Sequence, residues 1–174
     1  TEDCGYCAQS RNAPAAGQNY PFQSDEEILE GARRAHENGA YRYCLVFSGR
    51  NQTKADMTRI CSIVREIRSR YPMDVCVSAG FIGAEEAAML RDAGTGRYNH
   101  NLNTSAEYYS EICSTHGYAD RLATIRTAKR EGLEVCSGVI IGMGETPEDI
   151  LGMMDDLRSV DVKSIPVNFF IPVE

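Results

Sequence analysis

Three strand-like segments of this chain carry a cysteine at matching places: Cys44 in Tyr41-Arg42-Tyr43-Cys44-Leu45-Val46-Phe47, Cys76 in Asp74-Val75-Cys76-Val77-Ser78, and Cys136 in Glu134-Val135-Cys136-Ser137-Gly138-Val139. Cys76 follows Cys44 by 32 residues (76 − 44) and Cys136 follows Cys76 by 60 (136 − 76). One strand-plus-helix unit of a β/α barrel takes roughly 30 residues, so each cysteine falls one or two whole units after the last. Equal depth on strands that close into a ring aims all three thiols at one interior point. A single strand cysteine is most often a small buried apolar residue; three in step with the repeating unit favour a shared metal centre.

The intervening residues supply the helices. Ser24-Asp25-Glu26-Glu27 has capping-box spacing ahead of Ile28, Leu29, Ala32 and Ala35, which predicts a helix to about Asn38-Gly39. A strand over Tyr41 to Ser48 leads to a helix over Thr53 to Tyr71, whose Met57, Ile60, Cys61, Val64 and Ile67 form one apolar stripe. A strand over Met73 to Ala79, a helix over Ala84 to Ala93 and a strand over Arg97 to Leu102 follow. Ser105 to Gly132 is helical with a break near His116-Gly117, Leu133 to Ile141 is a buried strand, Thr146-Pro147 opens a helix, and Ser164 to Phe170 is the last strand. This alternation gives an α/β chain with a parallel sheet and right-handed crossovers.

The ends shape that expectation. Thr1 is not a methionine, the chain opens inside a loop, and it stops at Pro172-Val173-Glu174 just after a strand. The expected architecture is therefore a parallel (β/α) barrel of the TIM type, present as an incomplete barrel. Residues 1–174 are expected to form part of one core domain whose N-terminal strand and C-terminal strands lie outside this sequence.

A net charge of −7 and a pI near 5.0 leave no basic stripe to neutralise phosphates, which argues against nucleic-acid and acidic-membrane partners. Apolar runs stay below the ~18 residues that span a bilayer, and the start lacks a signal-peptide pattern, so a cytoplasmic (cytosolic) location is expected. Seven cysteines suit a reducing compartment with metal ligands and packed thiols better than a disulfide framework.

Cys4 and Cys7 form a Cys-x-x-Cys pair that serves zinc ribbons, thiol oxidoreductases and clusters alike. A zinc ribbon needs a second such pair, and the other five cysteines do not provide one. A redox pair opens a helix directly, whereas a polar loop over residues 11–18 follows here. A cluster loop fits best.

Glu2-Asp3-Cys4-Gly5-Tyr6-Cys7-Ala8-Gln9-Ser10 resembles the cluster loop of radical S-adenosylmethionine enzymes, and within them of the biotin synthase family. That family's pattern is Cys-x-x-x-Cys-x-x-Cys with an aromatic residue before the last cysteine, here Tyr6; the first cysteine is expected immediately before Thr1. The likeness extends to Tyr98-Asn99-His100-Asn101-Leu102-Asn103-Thr104-Ser105, Val135-Cys136-Ser137-Gly138, Gly142-Met143-Gly144-Glu145-Thr146 and Ile165-Pro166-Val167-Asn168.

The resemblance implies a [4Fe–4S] cluster on Cys4, Cys7 and the preceding cysteine, with its open iron bound by S-adenosyl-L-methionine. It implies a [2Fe–2S] cluster on Cys44, Cys76 and Cys136, with an arginine beyond Glu174 as fourth ligand and a cluster sulfide as the sulfur inserted into dethiobiotin. Asn99, Asn101 and Asn168 would line the pocket for dethiobiotin and S-adenosylmethionine. Asn101 and Asn103 would face the ribose, although many relatives carry Asp where Asn103 stands. Arg121 would meet the methionyl carboxylate, and Tyr6, Gly142, Gly144 and Glu145 the rest of the cofactor. A flavodoxin- or ferredoxin-type electron donor and a homodimer are implied for the full-length protein, with little activity in the segment itself.

From the residues alone, Asn101 and Asn168 fall near strand ends beside the cysteines, where an amide's paired donor and acceptor suit a ureido ring. A turn-rich strand end also accounts for the asparagines. Arg42, two before Cys44, shares its strand face. Cys61 and Cys113 read as core thiols, His36 and His116 have no assigned role, and His100 points to the opposite strand face. Another radical enzyme on this scaffold, of the methylornithine synthase or hydrogenase-maturation type, and a non-catalytic metal-binding module remain alternatives.

Overall fold

The computed structural model describes residues 2–13 and 21–172. Thr1, residues 14–18 of the polar loop, and residues 173–174 lie outside the described residues.

The elements run α1 (Asp25–Glu37), β1 (Arg42–Val46), α2 (Lys54–Arg70), β2 (Asp74–Ser78), α3 (Ala84–Asp92), β3 (Arg97–Asn99), α4 (Tyr109–Ile112), α5 (Tyr118–Arg130), β4 (Glu134–Cys136), β5 (Val139–Ile141), α6 (Pro147–Ser159) and β6 (Val167–Phe169). Local chemistry sets the helix starts. The Ser24 hydroxyl accepts the Glu27 N–H while the Glu27 carboxylate accepts the Ser24 N–H at 2.9 Å, so two amides at the start of α1 are satisfied reciprocally. Thr53 caps α2, and Thr146 caps α6 with Pro147 in its first turn.

Strands β1, β2, β3 and β4 pair in that order, all parallel, and β5 pairs in parallel with β6. Bridges from Cys136 to Ser164 and from Asn103 to Val139 connect the two sheets. The helices lie against one face. Ile60, Val64 and Ile67 of α2, Val75 and Val77 of β2, Tyr98 of β3, Ile125 of α5 and Val135 of β4 are fully buried between them. The alternate residues, Asp74 and Cys76 in β2 and Arg97 and Asn99 in β3, therefore occupy the other face, which is the inside of the curved sheet.

Strands are shorter than their hydrophobic runs predict, most of all over Arg97 to Leu102, Leu133 to Ile141 and Ser164 to Phe170, the last of which is strand only at Val167–Phe169. The run from Leu133 to Ile141 is broken at Ser137-Gly138, because the Ser137 hydroxyl accepts the Leu102 N–H at 3.1 Å and the Gly138 N–H donates to Asn101 Oδ1 at 2.9 Å. The same exchange ends β3 at Asn99. The predicted break near His116-Gly117 is present, and the Asp120 carboxylate accepts the Gly117 N–H at 2.9 Å to start α5.

Gly80 turns the chain at the carboxyl end of β2. Its φ is +82°, and a Cβ there would fall 2.2 Å from the Arg50 carbonyl oxygen. That oxygen also accepts the Phe81 N–H at 2.7 Å, so it has no room to retreat. Gly80→Ala is expected to cost about 2–4 kcal/mol, from a left-handed backbone plus overpacking, measured as a lower midpoint in urea unfolding.

Candidate functional site

The cluster loop lies on the turn between α4 and α5. The Gly5 N–H donates to the Ile112 carbonyl at 2.8 Å, and the Cys7 N–H donates to the Cys4 carbonyl at 3.1 Å, which folds the Cys-x-x-Cys into one turn. Asp3 fastens this loop: its carboxylate accepts from the Ser114 hydroxyl, the Ser114 N–H at 3.1 Å, the Thr115 N–H at 3.3 Å and the Thr115 hydroxyl at 3.0 Å. The Ser114 hydroxyl and these further donors hold the Asp3 carboxyl far below its ordinary 3.8. A group depressed on folding stabilises above its unfolded pKa and stops doing so as pH falls. Acidification below the ordinary carboxylate value, from about pH 4 downward, is therefore expected to loosen the loop progressively. Exchange of the Ser114 and Thr115 amides, corrected for intrinsic chemistry, should rise over that window and lose the dependence in Asp3→Asn.

Arg121, in the first turn of α5, closes the site from the other side. Its Nε donates to the Tyr109 hydroxyl, Nη1 to the Asn101 carbonyl at 2.9 Å, and Nη2 to the Tyr6 hydroxyl at 3.3 Å and to His116 Nε2 at 2.9 Å. An arginine only donates, so His116 Nε2 accepts and the ring proton sits on Nδ1, 2.9 Å from the Glu2 carboxylate. Burial lowers the pKa of His116 against the pull of Glu2, which keeps the ring neutral. Asn103 is buried with φ 72° and donates through Nδ2 to the Tyr6 hydroxyl at 2.6 Å. A cleft of about 350 Å³ opens between these groups, lined among others by Cys4, Tyr6, Cys7, His100, Asn101 and Arg121.

On the inner sheet face a second group assembles. Cys44 pairs with Cys76, Cys76 with Arg97, and Asn99 with Cys136. Paired residues of a parallel ladder point to the same side, so all five side chains share the inner face. The expectation of equal depth needs one adjustment: Cys136 stands one pleat nearer the carboxyl ends than Cys44 and Cys76, because barrel strands are staggered. Burial, and then the neighbouring Cys44 and Cys136 thiols, push the Cys76 thiol up to about 12. Cys76 is buried, Cys136 half-buried and Cys44 exposed.

One pleat below Cys44 and Cys76, Arg42 donates to the Asp74 carboxylate at 2.7 Å; Arg97, level with Cys76, donates to Glu134 at 2.6 Å. Arg42 thus reaches the neighbourhood of the three thiols already paired to an acid. Asp74 and Arg97 drew no attention in the sequence, although both stand an even number of residues from a singled-out inner-face position.

The structure places the other singled-out residues as follows. Asn99 is on the inner face with a buried Oδ1 that has no hydrogen-bond partner among the described residues. Asn101 lies past the end of β3, and its Oδ1 is taken by Gly138. Asn168, in β6, pairs with Ile140, and Ser164, four residues earlier, pairs with Cys136; Asn168 therefore shares the Cys136 face and is exposed. Gly142 and Gly144 have φ of +98° and +118°, and a Cβ on Gly144 would meet the Tyr108 hydroxyl at 2.4 Å. The Glu145 carboxylate turns back to accept the Gly142 and Met143 N–H groups at 2.6 and 2.8 Å, so it closes its own loop.

Three expectations change. Cys113 is buried but is not a simple core thiol: its Sγ lies 3.7 Å from Cys4 Sγ, 3.4 Å from His116 Nδ1 and 3.3 Å from Asp3 Oδ1. Helix α4 ends at Ile112, so the helical period that put Cys113 on an apolar stripe lapses there. His116, given no role, is the hub between Glu2, Tyr109 and Arg121. His100 reaches the cleft because strand alternation stops at Asn99; its ring is buried against Phe81, and its Nε2 is without a partner among the described residues. Cys61 is buried in the core on α2.

These donor sets suit the groups that the resemblance implies. Cys4 and Cys7 offer two thiols from one turn, and the three inner-face cysteines offer soft ligands for a cluster. The half-buried Arg121 guanidinium has only uncharged partners among the described residues, which leaves its charge for an anionic ligand.

Residues 1–157 match the Radical SAM superfamily. The chain is 56% identical over 174 residues to the biotin synthase of Magnetococcus marinus, covering 100% of this chain and 54% of that protein. It is 49% identical over 173 residues to the biotin synthase of Leptospira interrogans, covering 99% and 49%. The chain spans about half the length of these curated relatives. Among solved structures, methylornithine synthase (PylB) superposes with a TM-score of 0.87 at 19% identity, over 99% of this chain and 50% of that one. The [FeFe]-hydrogenase maturase HydG superposes with a TM-score of 0.83 at 18% identity, over 100% and 41%. At such identities the likeness is one of fold. No helix among the described residues is long and apolar enough to cross a membrane. With nine-tenths of its length inside the family match and its sheet superposable on such enzymes, the chain belongs to the radical SAM superfamily.

Proposed function

We propose that this chain is the central part of a biotin synthase, a sulfurtransferase that inserts sulfur into dethiobiotin. The observation that carries the proposal is the inner-face cluster of Cys44, Cys76 and Cys136, a second thiol group separate from the Cys4–Cys7 loop. Identity of 56% and 49% to two biotin synthases, across this chain and about half of each relative, supports it.

Cys4 and Cys7, with a cysteine outside this segment, would hold a [4Fe–4S] cluster; Cys44, Cys76 and Cys136, with an arginine outside it, a [2Fe–2S] cluster. When bound, the first cluster and S-adenosylmethionine supply one-electron sulfonium cleavage to a 5′-deoxyadenosyl radical, and the second supplies sulfide. The chain's own residues bind and orient. Arg121 takes the methionyl carboxylate. Tyr6, fixed by Asn103 and Arg121, forms the wall beside Cys7. Asn99 and Asn168 stand on the face of the thiols and present amides that pair with a ureido carbonyl and N–H groups without adding charge to a radical site. Asn101 acts one step removed, setting the Gly138 break that positions Cys136. A flavodoxin- or ferredoxin-type protein would deliver the electron, in the reducing cytoplasm, to a homodimer.

Anaerobic reconstitution of the full-length protein with iron and sulfide, followed by S-adenosylmethionine, reductant and dethiobiotin, tests this. Biotin is the expected product, and none with both clusters filled overturns the proposal.

A further inference from the structure

The structure assigns Cys4 a second partner besides iron: in the cluster-free protein, Cys4 and Cys113 oxidise to a reversible disulfide that withdraws a cluster ligand until it is reduced. The inference shares with the proposed function only the role of Cys4 as a ligand and is independent of the substrate.

The geometry is prepared on both sides. The two sulfur atoms are 3.7 Å apart and both residues are 6% exposed. A disulfide needs sulfurs about 2.05 Å apart on Cα atoms roughly 4.4–6.8 Å apart, so rotation about the side chains suffices if the backbones stay near. They are held there: the Gly5 N–H donates to the Ile112 carbonyl at 2.8 Å, tying together the residues next to each cysteine. Asp3, adjacent to Cys4, binds the Ser114 and Thr115 amides on the far side of Cys113. None of these contacts needs iron. Cys4, Cys113 and His116 each bring a ligand atom within 4.8 Å of the others, a grouping that also suits a cation. The guanidinium of Arg121, 2.9 Å from His116 Nε2, opposes a dication there but has no quarrel with a neutral disulfide.

Access follows from the cleft, which Cys4 lines. A small disulfide RSSR entering the cleft is attacked by the Cys4 sulfur as its thiol loses its proton, giving Cys4–S–SR and releasing RS⁻; burial, which pushes the thiol up to about 11, makes this the slow step. The Cys113 thiolate then displaces the second RS⁻ and the protein disulfide forms. Two cysteine S–H bonds and one RS–SR bond are exchanged for one protein S–S bond and two RSH, so two electrons pass from the cysteines to the small disulfide. The bridge spans a 109-residue separation that the fold has already closed, so forming it costs the folded chain little entropy while it restricts the unfolded one.

The test uses the full-length protein, stripped of iron by a chelator, fully reduced, and then exposed to oxidised glutathione. Peptide mapping without reduction should give Cys4–Cys113 as the main cross-link. Cluster reconstitution, followed by visible absorbance, should slow several-fold after oxidation and recover with dithiothreitol. Cys113→Ser should reconstitute at the same rate before and after oxidant. Cys4 linked to Cys7 or to any other cysteine, a free Cys113 after oxidation, or a serine variant as sensitive as the parent would overturn the assignment. The cross-link map on the unmodified protein decides the matter if the variant folds poorly, and it needs no biotin assay.

Discussion

Cys76→Ser in the full-length protein is expected to reduce biotin formation by at least about 10²-fold while reductive cleavage of S-adenosylmethionine continues. Losing the hydrogen-bond partner that orients a metal ligand typically costs 10–100-fold, and a ligand itself costs more. Cys76 is the middle of the three inner-face thiols, paired directly with Cys44 and separated from Cys136 by strand β3 and one pleat, and it is the most buried of them. Serine matches its volume closely but offers a harder oxygen donor, poorly suited to iron in a thiolate cluster. The Cys4–Cys7 loop sits on the α4–α5 turn and makes no hydrogen bond to β2 among the described residues, so the two centres should fail separately. Biotin yield, 5′-deoxyadenosine release and Mössbauer spectra read the three consequences. Cys61→Ala is the control: a buried thiol on α2 whose loss should cost stability and neither cluster. Undiminished biotin formation by Cys76→Ser would remove the sulfur-donor role from the inner-face thiols.

How far such arguments carry from sequence alone depends on whether a feature is local. The capping box at Ser24, the stripe on α2 and the Thr146-Pro147 start are set within a few residues, and each is where its spacing placed it. The Cys44 and Cys76 interval worked because the β/α unit is itself a repeat, so sequence distance became spatial register. What escaped was non-local. The break at Ser137-Gly138 is made by Asn101 and by the Leu102 amide, some 35 residues away in the chain, against an unbroken hydrophobic run. Cys113 and His116 escaped because α4 has only four residues, too few for a period to show that its end faces the cluster loop. Arg97 escaped because its importance lies in standing level with Cys76, a relation that exists only once the strands pair.

Arg121→Met is expected to weaken S-adenosylmethionine binding by about 30- to 10³-fold, the equivalent of roughly 2–4 kcal/mol for a buried charge pair that loses one member. The reason lies in what surrounds the guanidinium. Burial works against its charge, yet the Tyr6 and Tyr109 phenols and the Cys4 thiol raise its pKa above the usual arginine value, so it stays protonated. Its hydrogen-bond partners among the described residues are a carbonyl, two hydroxyls and a neutral imidazole, none of which neutralises it. A methionyl carboxylate in the adjoining cleft would. Arg121→Lys keeps the positive charge but loses the planar fork that serves Asn101, Tyr6 and His116 at once, and should fall between the parent and Arg121→Met. Because the methionine variant also leaves the Asn101 carbonyl without its donor and the Tyr109 hydroxyl with His116 as its remaining partner, about 1–3 kcal/mol of stability should go with it. Two measurements separate the effects: the dissociation constant of S-adenosylmethionine on cluster-loaded protein, and the urea midpoint. If Arg121 only propped up the cluster loop, the methionine variant would bind as tightly as the parent once loaded, and the anion would have to find its counter-charge elsewhere.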